Sequence, residues 1–156
     1  MNTQYDLADT LRDWIKTYSA TDTNAMRKIK DARVSYATDI DRLTHGSPIC
    51  TVFIDAESGG QTKPDRKPYK YDFVVAFYFL LGGDSENAVK HLCDTVDRFR
   101  DYIIDHPLMF LSTTHGVANK NIYLTLWTAI SPIGTKPRES TSNLNYVYRT
   151  ISVSMF

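Results

Sequence analysis

Only two cysteines occur in this chain of 156 residues, Cys50 and Cys93, far apart in apolar surroundings and without a CxxC partner. That scarcity argues against a disulfide framework or a Cys-rich zinc site, and leaves two buried free thiols in a reducing compartment. Net charge is also missing, with 18 Lys plus Arg against 18 Asp plus Glu, so there is no general excess of basic charge to hold nucleic acid. No apolar run approaches the length of a membrane span, and the acidic, polar start MNTQYDLADTLRDW has no signal-peptide core. The expectation is synthesis in the cytoplasm with no membrane association. No GxSxG, HExxH or GxGxxG occurs. Ser58 to Lys63 resembles a phosphate-binding loop only superficially, because it lacks the P-loop spacing and precedes a strand rather than a helix. His91 and Cys93 are two apart on an expected helix, so they point in different directions and make a poor metal pair. His106 and His115 read as loop histidines. No cofactor, no metal and no catalytic residue is expected, and the chain reads as a structural or binding protein rather than an enzyme.

What is present is a strong alternation in Tyr69 to Leu81, YKYDFVVAFYFLL. Its odd positions from Tyr69 to Leu81 are all apolar or aromatic, and its even positions turn from Lys70 and Asp72 to Val74, Ala76, Tyr78 and Leu80. A strand with this pattern needs cover on both faces over its later half, as a central strand does, or as one buried against a neighbouring molecule does.

Other segments supply the rest of a domain of ordinary size. Leu7, Ala8, Leu11, Trp14, Ile15 and Tyr18 form one helical stripe, which predicts a helix from about Gln4 to Tyr18 with Thr3 as N-cap. Ala25 to Leu43 is ambiguous and is read as a short helix over Ala25 to Ala32 followed by a strand holding Val34 and Tyr36. Ile49 to Ala56 predicts a strand, joined to the central one by the Gly, Pro and Lys rich stretch Glu57 to Pro68 as an antiparallel hairpin. Ser85 to about Asp105 predicts a second helix that buries Val89, Leu92, Cys93, Val96, Phe99, Ile103 and Ile104, and Pro107 stops it. Its wet side carries Glu86, Lys90, Asp94, Asp97, Arg98 and Asp101. Asn121 to Ser131 and Tyr146 to Phe156 predict two closing strands separated by the polar loop Pro132 to Asn145. The expected fold class is α+β, a mainly antiparallel sheet of about four to five strands with two main helices packed on one face and long projecting loops.

Charge is unevenly spread along the neutral chain. The second helix is acidic, whereas the first loop carries Lys63, Arg66 and Lys67 and the second carries Lys136 and Arg138. Ordinary surface charge accounts for this, and so does head-to-tail contact between copies.

In organisation the chain resembles the tail terminator, or tail completion, proteins of long-tailed bacteriophages. The resemblance runs through the amphipathic helix LADTLRDWIKTY, the strand pair ICTVFIDA and YKYDFVVAFYFLLGG, the helix DSENAVKHLCDTVDRFRDYIIDH, and the closing pair NIYLTLWTAIS and YVYRTISVSMF. It covers most of the chain but not Ala25 to Leu43. The resemblance implies a virion protein of the tail and neck, a homo-oligomeric ring, typically a hexamer. Such a ring contacts the tail tube protein and the head-tail connector or stopper protein, and lets DNA pass without specific binding. Lys63, Arg66, Lys67, Lys136 and Arg138 are the candidate subunit or tail-tube contacts. Another phage neck or tail-tube ring protein, or a non-viral domain binding a small ligand or peptide, remains the alternative.

Overall fold

A computed structural model of the protein describes residues 4–23, 27–35, 48–59, 69–81, 85–105, 108–110, 121–137 and 145–155. The alternating stretch folds as strand β3 (Tyr69–Leu80), and it is central in the sheet, with β2 (Ile49–Gly59) on one side and β7 (Asn145–Met155) on the other. The remaining elements are α1 (Gln4–Ala20), β1 (Asp31–Ser35), α2 (Ser85–Asp105), β4 (Leu108–Phe110), β5 (Asn121–Ile130) and β6 (Gly134–Pro137). The seven-stranded sheet runs β1, β2, β3, β7, β5, β4, and β6 also pairs with β7. Every pairing is antiparallel except that of β1 with β2. The fold is α+β.

The odd face of β3 carries Phe73, Val75, Phe77 and Phe79 into the main core. Both helices pack on that face. α1 contributes Leu7, Ala8, Leu11 and Ile15, and α2 contributes Ala88, Leu92, Val96, Phe99 and Ile103. Phe99 is the hub of the aromatic contacts, edge-on to Phe77 of the sheet and 6.2 Å from both Trp14 and Tyr18 of α1. Fully burying a Leu, Ile or Phe stabilises by roughly 1.5–3 kcal/mol, so these helices are held by their apolar stripes more than by intrinsic propensity. α2 keeps the expected bounds, with Ile104 as the departure: it is 57% exposed, one position round the helix from the buried Ile103.

The opposite face of β3 decides between the two kinds of cover its pattern allows, in favour of a central strand. Ala76 and Tyr78 are fully buried within the single chain and cluster with Ile49, Phe53 and Tyr146, while Val74, Leu80 and Tyr148 are half-buried around them. The centre of this face is therefore not free to meet a neighbouring subunit. The closing strands lie in the same layer, because β5 and β7 hydrogen-bond into the sheet that contains β3. β2 shows why its sequence is apolar at nearly every position: Cys50 and Val52 face the helices, Ile49 and Phe53 face the other side. Its register shifts between Ile54 and Ala56, which places the exposed Asp55 at a bulge.

Three further differences concern short elements. Of the short helix expected over Ala25 to Ala32, Ala25 and Met26 lie outside the described residues, and its expected end is strand instead: Asp31 and Ala32 belong to β1, where Ala32 is buried and paired with Cys50 of β2. Strand pairing and packing override the weak helical spacing there. Val34 is in the expected strand, whereas Tyr36, like the Thr3 cap, lies outside the described residues. The loop between the closing strands contains β6, and β4 adds a short edge strand, so the sheet has seven strands rather than four or five.

Candidate functional site

The candidate contact residues fall into two groups, and the sheet register places their anchor points apart. Gly59 of β2 pairs with Tyr69 of β3, so the segment carrying Lys63, Arg66 and Lys67 leaves and rejoins the sheet at the Tyr69 end of the hairpin. Those three residues themselves lie outside the described residues. Lys136 sits in β6 opposite Tyr146 of β7, and Tyr146 in turn pairs with Leu80 of β3. Arg138 follows at the end of β6, outside the described residues. Tyr69 and Leu80 are the two ends of β3. At about 3.3 Å per residue, the two anchor points are roughly 35 Å apart along the strand. The described anchor points of the two segments thus lie at the two ends of β3.

A second polar feature was not legible as a site in the sequence. After α1 the chain turns back through Asp22 and Arg27 toward β1, and this segment lies against α2. The Asp22 side chain is only 8% exposed and accepts from Arg98 Nη1 of α2 at 2.7 Å, with Arg27 Nε 3.5 Å away. Arg27 Nη1 lies 3.6 Å from Asp94 of α2. Ser19 Oγ accepts from the Ile29 amide at 2.7 Å, tying the end of α1 to the same turn. Burial pushes the Tyr18 phenol up to about 12; the Arg98 charge opposes that rise, Asp22 adds to it, and a hydrogen bond with Arg98 and the charge of Arg27 oppose it further. The signal in the sequence is the helical phase: Asp22 continues the line of Leu11, Ile15 and Tyr18, where a carboxylate needs a charged partner.

The other polar contacts also join elements. Arg149 Nε of β7 donates to the Ser131 carbonyl at 2.8 Å, and its Nη1 lies 3.8 Å from Cys93 Sγ on α2. Ser154 donates to Asp72 at 2.6 Å across the β3 and β7 pair. On α2, Arg100 lies 3.4 Å from Asp97 and 3.2 Å from Asp101, so these carboxylates are bridged on the helix surface. Cys50 is fully buried, which raises its thiol well above the ordinary range. Among the described residues, no group of three or more His, Cys, Asp or Glu side chains could hold a metal ion. None of the described helices is long and apolar enough to cross a membrane.

No protein-family model matches the chain, and no curated protein does. Among solved structures, one whose name carries no function matches 99% of this chain and 95% of its own, with a TM-score of 0.50 at 12% identity. At that identity the likeness is one of fold alone.

Proposed function

We propose that this protein is a structural component of a phage virion, a ring of identical subunits, hexameric by resemblance, that ends the tail tube and joins it to the head connector or stopper. The observation that supports this reading is that the sheet positions from which the two basic stretches of sequence depart, Gly59 and Tyr69 for one and β6 for the other, lie at opposite ends of β3. A subunit that must hold two different neighbours needs separated contact regions on a rigid spacer, and loops held by a scaffold serve that purpose. The acidic surface of α2, with Asp97 and Asp101 outward, provides charge of the opposite sign for contact between copies. Ionic groups pair with one another between the segment after α1 and α2, Asp22 with Arg98 and Arg27 with Asp94, which supports a scaffold reading over a catalytic one.

The test is the mass of the purified protein in solution with electron-microscope images, alone and with tail tubes. The expected result is a ring of about six copies, free or seated at a tube end. A monomer that binds no tail tube overturns the reading. Deleting the gene separates this role from that of a tube protein: overlong or headless tails are expected, whereas loss of the tube itself would show a tube subunit. Reversing Lys63, Arg66 and Lys67 to Glu should weaken assembly with the monomer still folded; unchanged assembly removes those residues from the contact set.

A further inference from the structure

His91, Asp94, Thr95 and Arg98 of α2 stand at i, i+3, i+4 and i+7, so they share one stripe of the helix. Two of the four reach the segment after α1, Asp94 to Arg27 and Arg98 to Asp22. The other two each hold a buried polar atom without a hydrogen-bond partner, Nδ1 of His91 and Oγ1 of Thr95. Thr95 as a whole is only 6% exposed. Facing the stripe, Arg27 Nε is a third such atom; it lies 3.5 Å from the Asp22 carboxylate as an ion pair but makes no hydrogen bond. Buried polar atoms are ordinarily matched, and unmatched ones on the two sides of a single seam point to something bound between them.

We propose that a water molecule is bound in this seam, bridging Thr95 Oγ1 and His91 Nδ1 of α2 to Arg27 Nε. The charge of the seam selects the occupant. Arg27 and Arg98 balance Asp22 and Asp94, so an anion would meet two carboxylates and a cation two guanidinium groups. A small neutral molecule with both donors and acceptors meets neither penalty. The arginine Nε only donates, the hydroxyl does either, and a ring nitrogen accepts or donates. Water can therefore accept from Arg27, exchange with Thr95 and bond the histidine, a set of about three hydrogen bonds that is usual for buried water. The water completes the fastening of the turn at Asp22 and Arg27 to α2. The inference is independent of the function proposed above.

A crystal structure of the full chain at atomic resolution should show solvent density at hydrogen-bonding distance, about 2.7–3.2 Å, from all three atoms. Thr95→Val keeps the shape and nearly the helix propensity of threonine while removing one leg of the bridge. Its melting temperature should fall by about 2–4 °C, and Thr95→Ser, which keeps the hydroxyl, should stay closer to the wild type. A dry seam gives the opposite sign, because valine would then delete an unmatched hydroxyl. Missing density at the three atoms, or a melting temperature that holds or rises in Thr95→Val, overturns the proposal.

Discussion

Replacing Asp22 with Ala removes the carboxylate that two arginines converge on, and the loss can be bounded from the geometry. Breaking a buried ion pair by deleting one partner costs about 3–5 kcal/mol when the remaining charge stays buried and alone. Two features reduce that here. The Arg98 side chain is 38% exposed and can turn to water, and Arg27, though 18% exposed, keeps Asp94 at 3.6 Å. We expect a loss of about 2–4 kcal/mol, and roughly half as much for Asp22→Asn, which retains one acceptor oxygen. Asp94→Ala serves as the control, since its side chain is 42% exposed and such pairs contribute about 0–1 kcal/mol. Urea unfolding followed by far-ultraviolet circular dichroism is the assay. With a slope of about 2 kcal/mol per molar, the Asp22→Ala midpoint should move down by about 1–2 M with the slope unchanged. The double variant Asp22→Ala with Arg98→Ala should lose less than the sum of the two, because the pair is in direct contact. A midpoint for Asp22→Ala no lower than that of Asp94→Ala would refute the claim that this carboxylate fastens the turn after α1 to α2.

Other perturbations test other layers of the structure. Leu92→Ala empties a fully buried site on α2 and should cost about 2–5 kcal/mol by the same unfolding assay. Gly134→Ala would set a Cβ 2.7 Å from the Tyr148 ring across the β6 and β7 pair, so the ring must swing away; near-ultraviolet circular dichroism should change, with a loss of about 1 kcal/mol that Tyr148→Ala largely removes as a second change. Raising the pH tests Tyr18: its folded pKa of about 12 lies above the ordinary 10.0, so above pH 10 the unfolded chain gives up this proton first. The contribution to stability is complete below pH 10 and is lost as the pH rises toward 12, and Tyr18→Phe should flatten the fall in unfolding free energy between those limits. Cys50, buried with its thiol held protonated, should stay unlabelled by a thiol reagent until the chain unfolds in urea.

The long periodic elements were legible because their patterns are set by burial on a single face. α2 runs from Ser85 to Asp105 as its stripe requires, and β3 occupies the Tyr69 to Leu80 alternation. β6 was not legible, and β1 only in part, since Val34 lies in the expected strand but Asp31 and Ala32 read as helix. Five and four residues give too little periodicity, and these strands are fixed by pairing with longer ones, Ile49 to Phe53 for β1 and Asn145 to Tyr148 for β6. Asp22 was hidden for a related reason: in a run of Ser, Thr, Asp and Asn a carboxylate reads as loop, and its place in the phase of Leu11, Ile15 and Tyr18 gains meaning from its pairing with Arg98, far along the chain.

The same dependence on distant pairing decides how the basic residues are to be understood. As a sequence, Lys63, Arg66, Lys67, Lys136 and Arg138 form one set, five cations on two polar loops. The register fixes where these loops are anchored: an antiparallel β3 and β7 pair, with β6 laid on the start of β7, anchors the second loop at the end of β3 away from the anchor of the first. Had β7 run parallel to β3, both loops would have been anchored at one end of β3. The observed direction instead anchors the two segments at opposite ends of β3, as the proposed function requires. Charge reversals in the two segments should then be separable in their effects, one disturbing a contact at the Tyr69 end and the other a contact at the Leu80 end. A single shared defect from either reversal would mean that the spacer geometry is not what governs assembly.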